Sequence, residues 1–299
     1  MEEHALSAVW KFELIAKHDN LTEGPAWDGS ALLYSECAAS LAWRYEPGTG
    51  KRAVWRRDTN GGNGMLFDRR GRLFACEGEG RRIVEYPEGK PAVIVADRYE
   101  GRQFNEPNDL AIDPSGRIWF TDPNYGGRPM QLDSESVYRC EPRPGGGWVV
   151  TRATRDTVRP NGILVSPDGS QLYVAESPRP PEARRQLRAY PINENGSLGA
   201  YRVLHEFGPH RGIDGMCLDI DGNIIATAGF KQSGPGPMLY VFAPNGRVLE
   251  THPVPADRPT NCTFAEAKLD VLYVTCGGGE LYRVPNTGRR GHLLYPKAN

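Results

Sequence analysis

The sequence has no long hydrophobic run. Nothing in its 299 residues approaches the roughly 20 consecutive apolar residues a membrane-spanning helix needs, so no membrane partner is expected. An excess of one charge is also missing: 36 Lys and Arg stand against 37 Asp and Glu, a formal net charge of -1. No basic surplus exists to neutralise phosphates, which excludes nucleic acid as an expected partner. The opening residues, MEEHALSAVWKFELIAKHDN, carry acids where a signal peptide needs Lys or Arg, and their apolar residues are too scattered for a signal core. The expected location is cytoplasmic. Six cysteines (Cys37, Cys76, Cys140, Cys217, Cys262 and Cys276) occur singly, without a C-x-x-C pair or zinc-like spacing. They read as reduced thiols, several of them packed as small hydrophobes. No helix-period segment exceeds about two turns. Glycine (35) and proline (25), by contrast, are plentiful, as in a chain that turns often.

One short pattern recurs along the chain. A polar residue leads a small or apolar one, then an apolar strand, a turn rich in Asp and Gly, and a second apolar strand. The copies are EGPAWDGSALLYSE (23 to 36), NGMLFDRRGRLFACE (63 to 77), NDLAIDPSGRIWFTD (108 to 122), NGILVSPDGSQLYVAE (161 to 176) and DGMCLDIDGNIIATA (214 to 228). A sixth, NCTFAEAKLDVLYVTC (261 to 276), keeps the strands and loses the turn glycine. Turns such as DRRG, DPSG and DIDG make each copy a β-hairpin. Third and fourth strands follow, as in RIVEYPEG and PAVIVA. Starts 40 to 53 residues apart, each carrying four strands, predict an all-β, six-bladed β-propeller of four-stranded blades, with residues 1–299 as a single domain. A sandwich would not explain six copies in register. VWKFELIA (9 to 16) precedes the first copy and GHLLYP ends the last, so the two ends are expected to share a blade, the N-terminal strand closing the ring.

In a propeller, equivalent positions of the inner strands converge on one axis. The first position of the repeat reads Glu23, Asn63, Asn108, Asn161, Asp214 and Asn261, all carboxylates or carboxamides. One such residue would be a turn or cap. Six in register predict either a polar, hydrated channel plug or an oxygen-lined site for a hard divalent cation, Ca2+ suiting it best, with Mg2+, Mn2+ or Zn2+ as alternatives.

The motifs LTEGPAW, NGMLFDRRGRLFACEG, NEPNDL, IWFTDPNYG, RPNGILVSPDG and IDGMCLDIDGN together resemble the senescence marker protein, gluconolactonase and luciferin-regenerating enzyme family over nearly the whole chain, closest to its bacterial gluconolactonase-like branch. The resemblance implies a six-bladed propeller with a catalytic divalent metal on its axis. By motif it assigns Glu23, Asn161 and Asp214 as metal ligands, with Asn108 either a ligand or a holder of water and substrate. Glu106 stands where regucalcin-like members have Arg, and Ile213 precedes the fifth-blade Asp where Pro is usual, so substrate contacts near Glu106 do not carry over.

The expected reaction is hydrolysis of a lactone substrate to its hydroxy acid. The metal would polarise the carbonyl, and Asp214 would act as general base, as nucleophile, or only as orienter of a metal-held water. Asn63 and Asn261 would bind substrate or brace the ligands, and Asn105, Asp122 and Tyr125 would contact sugar hydroxyls, Asp122 being equally readable as a turn cap only. His210 is a candidate for assisting proton transfer, or simply a solvated loop histidine. The Pro- and Arg-rich segment 176–187 reads as an exposed connection or as a lid attracting an acidic lactone. The rival readings are a phosphotriesterase resembling diisopropyl fluorophosphatase, and a non-catalytic calcium-binding propeller with a filled or apolar channel mouth.

Overall fold

The computed structural model describes residues 10–179 and 184–296. Six four-stranded antiparallel sheets follow one another, each ordered from the inner strand outward. The inner strands are Thr22–Trp27, Gly62–Phe67, Leu110–Ile112, Pro160–Val165, Ile213–Leu218 and Pro259–Ala265. Neighbouring inner strands touch all round the ring. This is the predicted six-bladed β-propeller. Among the described residues there is no helix, and hence none able to cross a membrane.

The hairpin turns form as their sequences direct. In DRRGR, the Asp68 carboxylate accepts the backbone N–H groups of Arg70 and Arg72, each at 2.9 Å, and the Arg72 Nε–H at 2.9 Å. Asp219 does the same for Asp221, Asn223 and the Asn223 side chain. The sixth copy, lacking the glycine, places Glu266 and Leu269 in the left-handed region at φ 69° and 54°. Burial of the Leu269 side chain offsets that cost. Between blades lie apolar and aromatic clusters, such as Phe104, Phe120 and Tyr138 at centroid distances of 5.0 to 5.6 Å.

Closure of the ring uses the chain ends differently. Glu13–Lys17 is the outer strand of the sixth blade and pairs antiparallel with Glu280–Val284, as expected for the N-terminal strand. Thr22 Oγ1 donates to Glu280 O at 2.9 Å and Thr260 Oγ1 to Thr22 O at 2.7 Å, tying the first blade to the sixth. GHLLYP, however, joins no blade. It crosses the face opposite the polar ring: His292 N donates to Leu218 O at 2.9 Å, and Tyr295 packs on Phe67 at 5.7 Å. Leu293 and Leu294 cap the axial channel there, leaving a cavity of about 90 Å³ beneath them. Both leucines are half-buried there.

Candidate active site

A β-bulge sits at the head of the inner strand in five of the blades. Register shifts occur at Glu23/Ala26, Gly62/Met65, Pro160/Ile163, Ile213/Met216 and Pro259/Asn261. The bulge re-aims the polar residue from the sheet face toward the axis. The glycine that follows it in four of these blades, where the sixth has Cys262, has a second task. A Cβ on Gly162 would lie 2.2 Å from Asp214 O, and one on Gly215 would lie 2.1 Å from the Asn261 side chain. Only glycine lets the next blade's ring residue approach so closely. In the third blade this position is Asp109, whose carboxylate reaches under the ring toward Asn261.

The ring residues form a hydrogen-bonded relay. Asn63 Nδ2 donates to Asn108 Oδ1 at 2.6 Å, Asn108 Nδ2 to Asn161 Oδ1 at 2.7 Å, and Asn161 Nδ2 to Asp214 Oδ1 at 2.7 Å. Arg211 forms an ion pair with the other Asp214 oxygen. Glu23 Oε2 accepts the Gly24 N–H at 2.8 Å. The relay floors a cavity of about 710 Å³ that opens on the face away from the leucine cap and includes Tyr125, Arg159 and Cys37 in its wall. The Arg159 guanidinium lies over the Tyr125 ring at 4.4 Å, and the buried Tyr125 hydroxyl has no hydrogen-bond partner. Burial, with Glu23 and Asp214 nearby, holds the Cys37 thiol well above its ordinary pKa, so it is no nucleophile.

Of the residues singled out from sequence, Glu23, Asn63, Asn108, Asn161, Asp214 and Tyr125 share this cavity. Asn261 belongs to the same level but faces the channel below, beside Asp109, and its Oδ1 accepts the Cys262 N–H at 2.9 Å. Asn105 and Asp122 are not among the residues lining the cavity, and Asp122 has the backbone-capping role that was its other reading. Asp122 spends both oxygens on the N–H groups of Asn105 (2.9 Å) and Glu106 (2.8 Å), and Asn105 Oδ1 accepts from Gln131 and Leu132. Their polar atoms are consumed in holding loops. His210 is exposed and its Nδ1 lies 2.6 Å from Ser233 Oγ, while its neighbour Arg211 reaches Asp214. Glu106 Oε2 accepts the N–H groups of Tyr125 and Gly126, both at 2.9 Å, so it positions the Tyr125 loop. Sequence reading missed Asp109, Arg159 and Arg211; only the unusual Asp at the repeat's glycine position offered a signal.

The electrostatics of the floor bear on a metal ion. Burial, then the negative charges of Asp214 and Asp109, push the Glu23 carboxyl well above its usual range. Burial also raises Asp214, against the pull of Arg211 and the Asn161 hydrogen bond. Asp109 is pushed up to about 7, chiefly by burial. Among the described residues no three His, Cys, Asp or Glu side chains gather as a metal cluster. An ion here would draw on carboxamide oxygens beside Glu23 and Asp214. Each carboxamide oxygen has a second lone pair beyond the relay, so the donor set fits a hard divalent cation.

Residues 21–278 match the family model described as the SMP-30/Gluconolactonase/LRE-like region. The chain is 30% identical to a gluconolactonase of Zymomonas mobilis over 292 residues, covering 88% of this chain and 78% of that protein. It is 29% identical to the pentonolactonase XacC of Haloferax volcanii, covering 87% and 82% of the two chains. A solved gluconolactonase from Xanthomonas campestris superposes with a TM-score of 0.79 at 30% identity, over 92% of this chain and 89% of that one. With its six blades, its axial ring and a match across most of its length, the chain belongs to the SMP-30/gluconolactonase/LRE-like family.

Proposed function

We propose that this protein hydrolyses sugar lactones in a reaction dependent on a divalent ion, with residues 1–299 acting as one domain. The observation that carries the reading is the axial relay ending at Asp214 on the floor of a cavity of about 710 Å³. Gluconolactonase and pentonolactonase relatives support the substrate class. Glu23, Asn108, Asn161 and Asp214 would hold the ion, Ca2+ best suiting mixed oxygen donors and Mg2+, Mn2+ or Zn2+ being alternatives. When bound, it supplies positive charge that offsets Glu23 and Asp214 and polarises the lactone carbonyl.

This chain's own residues supply the rest. Arg211 and Asn161 fix the Asp214 carboxylate facing the cavity. Asp214 takes a proton from water as the water oxygen adds to the carbonyl carbon. The ring C–O bond then breaks, and the proton passes to the departing alkoxide, giving the hydroxy acid. Tyr125 offers its free hydroxyl to a substrate oxygen. The mouth is open rather than filled and four arginines line it, which favours catalysis over the non-catalytic propeller, for which a filled or apolar mouth was expected.

Asp214→Asn keeps the shape and an acceptor oxygen but removes the base. Its kcat on a panel of sugar lactones should fall about 100-fold or more, with unchanged circular dichroism. Wild-type turnover in the folded variant would contradict the reading.

A further inference from the structure

Arg159, Arg185, Arg211 and Arg258 all line the cavity above the ring. Arg211 is fully engaged: it pairs with Asp214 and donates to Gly229 O and Pro259 O. The other three meet no carboxylate among the described residues. Arg185 gives one N–H to Pro209 O at 2.6 Å. The Arg159 guanidinium rests on the Tyr125 ring, and its buried Nε has no hydrogen-bond partner. The Arg258 guanidinium has no hydrogen bond or ion pair among the described residues, and Arg258 holds a left-handed backbone at φ 50° while its side chain lies against Gly277. The carboxylate of Glu106, the wall's remaining acid away from the floor, already accepts the Tyr125 and Gly126 N–H groups.

Like charges gathered in a half-enclosed site, with no ion pair to a carboxylate among the described residues, are costly. Burial and the nearby Arg159 charge both disfavour the charged form of Arg185. A divalent ion on the floor would add to this positive potential. Planar guanidinium forks recognise a carboxylate by paired, charge-assisted hydrogen bonds.

Resting on the lactonase reading, we infer that the preferred substrate is an anionic lactone, the lactone of an aldaric acid, whose free carboxylate is bound by Arg159, Arg185 and Arg258 while its ring ester lies over Asp214. Neutral sugar lactones fill the same cavity but leave the arginines unpaired.

D-glucono-1,4-lactone and D-glucaro-1,4-lactone share a ring and differ at C6, a hydroxymethyl in one and a carboxylate in the other. The ratio of kcat/KM, glucaro over glucono, should exceed about 10 in the wild type and fall about 10- to 100-fold in Arg185→Gln and Arg258→Gln, with added salt lowering it too. A wild-type ratio near 1, or a high ratio unchanged in both variants, would overturn the inference. Calorimetric titration with D-glucuronate, which contains no lactone, separates the two claims. If neither lactone is hydrolysed yet glucuronate binds the wild type and not the variants, the lactonase reading fails and the arginine site stands. No glucuronate binding to the wild type overturns the site itself.

Discussion

Tyr125 shows how one side chain is set apart for function. Its hydroxyl is buried in the cavity wall without a hydrogen-bond partner, while its backbone N–H is held by Glu106 and its ring lies under Arg159. An unsatisfied buried hydroxyl costs stability, so removing it should relieve the fold and weaken the chemistry together. Tyr125→Phe is predicted to be as stable as the wild type or up to about 1 kcal/mol more stable, with kcat/KM on a sugar lactone reduced roughly tenfold. Urea unfolding and steady-state kinetics check the two halves. Lower stability with unchanged kinetics would mean that the hydroxyl serves the fold. Tyr125 was legible only as a polar residue beside the third inner strand. Its partner Arg159 was not, because a lone Arg before a Pro-Asn-Gly turn looks like any exposed cation until the backbone turns it inward.

The element that builds the site is the bulged head of the inner strand, present in five of the six blades. The bulge turns the polar residue toward the axis, and the glycine behind it admits the neighbouring blade. Gly162 isolates the second effect, since it lies outside the left-handed region and a Cβ there would meet Asp214 O at 2.2 Å. Gly162→Ala is expected to cost about 3 kcal/mol by forcing the fourth and fifth blades apart, whereas Gly48→Ala, where a Cβ meets nothing within 4 Å, should change stability by under about 1 kcal/mol. Thermal unfolding of the pair measures the difference. Equal melting temperatures would show that the ring tolerates looser packing than the close approach implies. The polar-glycine pairs were visible in sequence, and so was the ring of acids and amides. The bulge was not, because its register shift depends on pairing with the next strand. The loop-holding role of Asn105 was hidden for the same reason, its acceptor being consumed by a backbone N–H on another segment, whereas the capping role of Asp122 was one of its two readings.

For the whole molecule, the repeat period and turn chemistry were enough to count blades, and the outer position of Glu13–Lys17 follows from the need to cover the last edge. The fate of GHLLYP lay beyond that reasoning, since capping a channel and extending a sheet both bury two leucines and only the assembled channel decides between them. Closing one mouth leaves the ring accessible from the other, where the cavity of about 710 Å³ gathers the floor carboxylates and the wall arginines. The central claim is that a divalent ion on this ring makes the propeller a lactonase. The most direct test is to strip the protein with a chelator and follow D-gluconolactone hydrolysis and melting temperature together as Ca2+ is returned. The account predicts activity near background after stripping, recovery on adding Ca2+, and a melting temperature that rises with the logarithm of Ca2+ concentration above the dissociation constant. Full turnover by the stripped protein, with a melting temperature indifferent to the ion, would contradict it.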